Sequence, residues 1–178
     1  MRVSLNLIKK YVDLQKDLTD EQIAYDMTLR TVEVEKVEKT ALKYHDIVVG
    51  KVLEVKQHPN ADRLKICVTD IGQNKPVQIV CGGSNLYEGE YVVVSKPGAE
   101  VVWHGEGEPV IIKETKMRGE SSYGMICGAS EVYLNDFFPP KNETEIIDLK
   151  GVDCKPGDEI SDIIDMNDTI LEIDNKSL

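Results

Sequence analysis

The spacing of apolar positions changes twice along this chain, and each change marks a different kind of element. Up to Arg30 the spacing is helical. Ser4 stands where it can cap a short helix whose stripe is Leu5, Ile8 and Val12, at i, i+3 and i+7. Thr19-Asp20-Glu21-Gln22 has the form of a capping box: the threonine oxygen accepts a backbone N–H three residues on, and the glutamine reaches back. Ile23 and Met27 share the inner face of the helix it opens. After Arg30 the period becomes two. Val32 and Val34 alternate with Thr31, Glu33 and Glu35, as in a strand with one wet face. The mixed polar run from Val37 to Tyr44 reads as a linker.

From Asp46 the texture is all β. Ile47 to Val55 is a long strand, and Gly50 within it predicts a bulge or sharp bend of the kind small barrels need. In the next stretch Leu64, Ile66 and Val68 fall on one face, and Arg63, Lys65 and Cys67 on the other. Val77 to Cys81 and Tyr91 to Ser95 are further strands, ended by Gly82-Gly83 and Pro97-Gly98. The stretches "VIIKETKMRG" and "YGMIC" supply the last ones. Short strands with turn residues between them predict a small barrel or sandwich. Ser130-Glu131 can open a short helix, whereas Phe137 to Pro140 must be irregular because two prolines cannot continue a ladder. Thr169 to Asp174 reads as a strand close to the end of the sequence, which suggests a piece of something longer.

The bulk properties narrow the class. With 178 residues and 41% apolar content the chain is long enough for one domain with a real core, or one domain plus part of another. No apolar run approaches the roughly 20 residues needed to span a bilayer, and the start does not resemble a signal peptide, so a cytoplasmic location is expected. The net charge of −11 argues against indiscriminate nucleic-acid binding. The acid concentrates from Gly151 onward, where 8 Asp or Glu face 2 Lys or Arg. Any nucleic-acid contact therefore needs a local basic patch. Cys67, Cys81, Cys127 and Cys154 form no C-x-x-C pair and have no histidine at zinc-ligand spacing. The first three read as small buried thiols. A cysteine-dependent redox enzyme would need Cys81 or Cys127 to have a depressed pKa.

Two stretches carry candidate chemistry. His58-Pro59-Asn60-Ala61-Asp62 holds a histidine and a carboxylate, but nothing local supplies a nucleophile or a metal. Pro59 and the two Asx-type residues account for a sharp reversal on their own. The segment is a hinge, expected to aim the face carrying Arg63 and Lys65. In the second stretch, Lys116 to Glu131, an extended chain points Lys116 and Arg118 the same way. Ser121 and Ser122 add hydroxyls, and Gly124 lets another backbone come close. These two cationic pairs suit a phosphate backbone, or else they are solvated strand faces. The residues alone leave both readings open.

"HPNADRLKIC", "IVCGGSN", "SKPGA" and "KMRGESSYGMICGASE", in that order over about 100 residues, resemble the EMAP-II-type tRNA-binding OB-fold domain. With "SLNLIKKYVDL", "TVEVEKVE" and "DTILEIDNKSL" on the flanks, the whole chain resembles the amino-terminal region of the bacterial phenylalanyl-tRNA synthetase beta subunit. The resemblance implies an α+β chain: a five-stranded OB-fold β-barrel (residues 41–150) inserted into a small discontinuous α/β domain (residues 1–40 plus 151–178). It implies a non-catalytic fragment of phenylalanine–tRNA ligase that contributes tRNA binding, with tRNA(Phe) and an alpha subunit as partners in an (αβ)2 assembly. ATP and magnesium would serve the holoenzyme, with no cofactor, metal or catalytic residue in this fragment. The candidate RNA contacts carried over are Arg63, Lys65, Asn85, Lys116, Arg118, Ser121 and Ser122. If all four cations met phosphates, log affinity would fall with log salt on a slope of about −3. Two alternatives are an architectural OB module without RNA contact, which the acidic charge favours, and a freestanding tRNA-binding chaperone.

Overall fold

The computed structural model describes residues 1–14 and 17–174. In chain order the elements are β1 (Arg2–Ser4), α1 (Leu5–Lys9), α2 (Asp20–Arg30), β2 (Glu33–Lys39), β3 (Ile47–Gln57), β4 (Lys65–Asp70), β5 (Val77–Cys81), β6 (Tyr91–Ser95), β7 (Glu100–Val101), β8 (Val110–Ile111), β9 (Thr115–Met117), β10 (Glu120–Ser122), β11 (Met125–Ile126), α3 (Ile160–Ile163) and β12 (Thr169–Asp174). They fall into two compact units, residues 1–42 with 165–178 and residues 43–164.

The first unit is a three-stranded antiparallel sheet, ordered β1-β12-β2, with two capped helices. Ser4 caps α1 by accepting the Leu7 N–H, and Thr19 with Gln22 forms the reciprocal box that starts α2. Leu5, Ile23, Ala24, Leu171 and Ile173 make the core, with Val32, Val34 and Val37 packed on it. Val34 and Val37 share one side because the register slips at Glu35, opposite Glu172 and Ile173. That bulge overturns the linker reading of Val37 to Tyr44. Val37 to Lys39 continue β2, and Thr40–Tyr44 is a 3-10 turn. Val12, placed on the α1 stripe by spacing, lies exposed beyond the end of that five-residue helix.

The second unit is a nearly closed five-stranded antiparallel barrel of OB-like form, ordered β11-β6-β3-β4-β5. β3 makes the corner: Ile47 to Lys51 pair with β6, and Lys51 to Gln57 pair with β4. Gly50 sits just before the switch. A Cβ there would lie 2.6 Å from Val94 Cγ2 on β6 and 2.9 Å from Thr69 Cγ2 on β4. The glycine therefore provides close approach inside the barrel, and the bulge itself comes three residues later, at Leu53. Val48, Val52, Cys67, Ile79, Val92, Val94 and Ile126 fill the core. Each fully buried Val or Ile contributes about 1.5–3 kcal/mol through the apolar area removed from water. Closure is completed beyond β5, where Tyr123 N–H donates to the Gln78 carbonyl and Ser122 Oγ accepts the Val80 N–H. The stretch from Gly151 to Ile164 packs with the barrel: Gly157 donates to Val49, and Val49 donates to Asp158. Phe137 to Pro140 lie in no regular element.

Candidate nucleic-acid interface

The turn between β3 and β4 is held from within. Gln57 Nε2 donates to the carbonyls of Ala61, Asp62 and Leu64, and His58 N–H donates to Leu64 O. His58 is 3% exposed. Its Nδ1 accepts the Asn60 N–H at 3.0 Å, so the ring proton sits on Nε2, which donates to the Met117 carbonyl at 3.0 Å. Asn60 Nδ2 reaches the next carbonyl along, that of Arg118, at 3.2 Å. The hinge therefore grips the second candidate stretch, fifty-nine residues away in sequence.

That stretch is a tight hairpin. β9 and β10 pair Lys116 with Ser121 and Met117 with Glu120, and the two-residue turn is Arg118-Gly119, with φ values of 50° and 101°. The extended-chain argument that aligned Lys116 with Arg118 fails here because the strand ends at Met117. Lys116 and Ser121, directly paired, are both exposed, while Ser122 on the opposite face is 1% exposed. The inner face packs on β5: Gln78 Nε2 donates to Ser121 O at 2.9 Å and to Glu120 Oε2 at 3.3 Å. Arg118 stands at the tip and Arg63 in the turn that grips it, both exposed. Among the described residues, Arg63, Lys116 and Arg118 form no ion pair or side-chain hydrogen bond.

The other candidates have structural partners. Lys65 opens β4 on the face shared with Cys67 and Thr69, both 0% exposed, and its Nζ lies 3.5 Å from the Leu86 carbonyl. Ile66 and Val68, on the other face, are only half-buried. Asn85 uses both ends of its amide on the backbone of Ile146, at 3.0 Å each. Ser122 Oγ accepts from Val80 N–H and donates to Gly124 O. Tyr123 packs against the barrel core. Glu90 is 1% exposed; one carboxyl oxygen accepts the Tyr87 N–H and the other has no hydrogen-bond partner among the described residues. Burial, with the nearby Asp148 charge, pushes its pKa up to about 7, against the Tyr87 N–H bond and, more weakly, the Lys65 charge. No pattern in the sequence singles out Gln57, Gln78 or Glu90.

Burial also raises the thiols, Cys67 and Cys127 to about 12 and Cys81 to about 11. Such thiols are almost wholly protonated at neutral pH, which removes the redox-enzyme reading of Cys81 and Cys127. Among the described residues no group of three or more His, Cys, Asp or Glu could hold a metal ion, and no helix is long and apolar enough to cross a membrane.

Residues 47–158 match the family model described as a putative tRNA binding domain. The chain belongs to that family. Over 97% of its length this tRNA-binding-domain chain is 36% identical to the phenylalanine–tRNA ligase beta subunit of Bacillus cereus, and over 98% it is 37% identical to that of Halalkalibacterium halodurans. It spans 21% of the length of each of these curated relatives. A solved structure of the C-terminal domain of Plasmodium vivax p43 is 29% identical, with a TM-score of 0.37, covering 48% of this chain and 46% of that one.

Proposed function

We propose that this chain is the non-catalytic, tRNA-binding amino-terminal portion of a phenylalanine–tRNA ligase beta subunit. The observation that carries the reading is 36% identity along 97% of the chain to proteins of that name. Arg63, Lys116 and Arg118, exposed cations without an ion pair among the described residues, support direct contact with phosphates from one end of an OB-like barrel. The partners are tRNA(Phe) and an alpha subunit in an (αβ)2 assembly in the cytoplasm. ATP and magnesium act in the holoenzyme.

The contact is electrostatic rather than base-reading. Tyr123, the nearest aromatic to the hairpin in sequence, packs on the barrel core. Contacts from three cations give a log–log salt slope of about −2, shallower than four would give. Lys65 joins that list only if its ammonium turns outward. A second reading, an architectural module without RNA contact, draws on the net charge of −11 and on the structural partners of Lys65, Asn85 and Ser122.

A fluorescence-anisotropy titration with tRNA(Phe) and an unrelated tRNA at two salt concentrations separates the readings. Salt-sensitive binding with a slope near −2 and similar affinity for both tRNAs is expected. No binding at low salt would make the module architectural.

A further inference from the structure

We infer that His58 is the positioning residue of the RNA-facing hairpin, joining the turn that carries Arg63 to the tip that carries Lys116 and Arg118. The inference rests on the tRNA-contact reading above and names what pre-organises it. The Arg118-Gly119 turn needs two residues with positive φ, and Arg118 adopts φ 50° without being glycine or asparagine. Strained backbone of this kind persists where its surroundings over-determine it. Here the surroundings are two bonds to consecutive carbonyls, from His58 Nε2 to Met117 and from Asn60 Nδ2 to Arg118. His58 is itself oriented by the Asn60 N–H on Nδ1 and by its burial. The barrel side of the hairpin is anchored separately, through Gln78 and Ser122. The tip is thus held from two directions, and the His58 side is the one that also fixes the distance to Arg63. Cations on backbone held this way lose less freedom on meeting phosphates than cations on a loose loop.

The two ring nitrogens can be tested apart in the 178-residue chain. His58→Gln keeps a donor at the end of the side chain, within reach of Met117 O. His58→Asn keeps an acceptor for the Asn60 N–H and loses the reach. Two readouts are taken: affinity for tRNA(Phe) at low salt, and amide hydrogen exchange of residues 115–122 against that of β3, β4 and β6. His58→Asn is expected to weaken affinity about tenfold and to speed hairpin exchange by a similar factor while barrel exchange holds. His58→Gln is expected to stay within about threefold of wild type in both. In the His58→Asn background, the Lys116→Ala/Arg118→Ala pair should cost much less affinity than in wild type, because the cations are no longer held in place.

Unchanged hairpin exchange in His58→Asn, or strictly additive affinity losses where Lys116→Ala/Arg118→Ala weakens binding in wild type, would overturn the inference. Faster hairpin exchange with no affinity change from Lys116→Ala/Arg118→Ala in wild type has a different meaning: it upholds the tether and overturns the contact reading. Should His58→Asn not fold, Asn60→Ala removes only the bond to the Arg118 carbonyl and must loosen the tip in the same direction, or the tether is wrong.

Discussion

Arg63 and Lys65 are two residues apart and carry the same charge, yet they belong to opposite kinds of region. Arg63 lies in the turn beneath the hairpin tip, exposed and without an ion pair among the described residues. Lys65 lies on the inner face of the barrel, here its floor, with the buried Cys67 and Thr69, its Nζ near the Leu86 carbonyl and its charge acting weakly on the buried Glu90. The difference is one of strand position. β4 begins at Lys65, so pleating sends its side chain inward with Cys67, whereas Arg63 precedes the strand and escapes that alternation. Charge in a motif therefore does not measure charge at a surface. At the hairpin end cations stand on fixed backbone with their heads in water. At the floor a cation partly compensates a carboxyl that burial disfavours.

The sharpest way to break the comparison is to separate both regions from the barrel they share. Gly124 closes that barrel: a Cβ there would stand 2.4 Å from the Ser95 carbonyl oxygen, a contact with backbone rather than a movable side-chain end. Gly124→Val is expected to cost about 3 kcal/mol or more, read as loss of the cooperative thermal transition or a large fall in melting temperature. A wild-type melting temperature would show that β6 and β11 need no such approach.

The floor is probed next by pH. The pKa of Glu90 is raised to about 7 in the fold, above the usual carboxyl value of 4.5, so the fold favours the protonated form. Its contribution is fully present below the unfolded pKa and is lost as pH rises through about 7. Glu90→Gln keeps an acceptor for the Tyr87 N–H and cannot ionise. It should therefore be more stable than wild type at pH 8, on the order of 2 kcal/mol or several degrees, with the gap closing at about pH 5. A gap of constant size in thermal melts across that range would mean that Glu90 is not the titrating group.

What was legible in the sequence was local. The Ser4 and Thr19 caps, the strands and the Gly124 approach each follow from a few neighbouring residues, and each is present. What was not legible depends on partners distant in sequence. The apolar face of Leu64, Ile66 and Val68 looks like a core face, yet the core side is that of Cys67 and Thr69. Hydrophobicity misled because the sheet carries apolar residues on both sides: Val80, paired with Ile66 on the face away from Cys67, is itself buried. The slips at Glu35 and Leu53 change which side chains face inward; no glycine or proline lies near the first, and Gly50 announces the second only to within three residues. The grip of His58 on Met117 spans fifty-nine residues, and no periodicity encodes it.

The smallest expected effect sharpens the comparison most directly. Arg118→Ala and Lys65→Met each remove one positive charge from the chain. If only exposed cations meet phosphates, Arg118→Ala reduces the magnitude of the log–log salt slope for tRNA(Phe) by about 0.7, and Lys65→Met leaves it unchanged. Stability should respond in the reverse sense. Arg118→Ala touches no packed contact of its side chain and should shift stability by less than about 0.5 kcal/mol. Lys65→Met withdraws the smaller of two influences that lower the Glu90 pKa, the other being the Tyr87 N–H bond, so the pH at which Glu90 ionises should rise slightly. Equal losses of slope in the two variants would return Lys65 to the RNA face. The division between the two regions would then be one of degree, with the barrel end itself basic enough to reach phosphates.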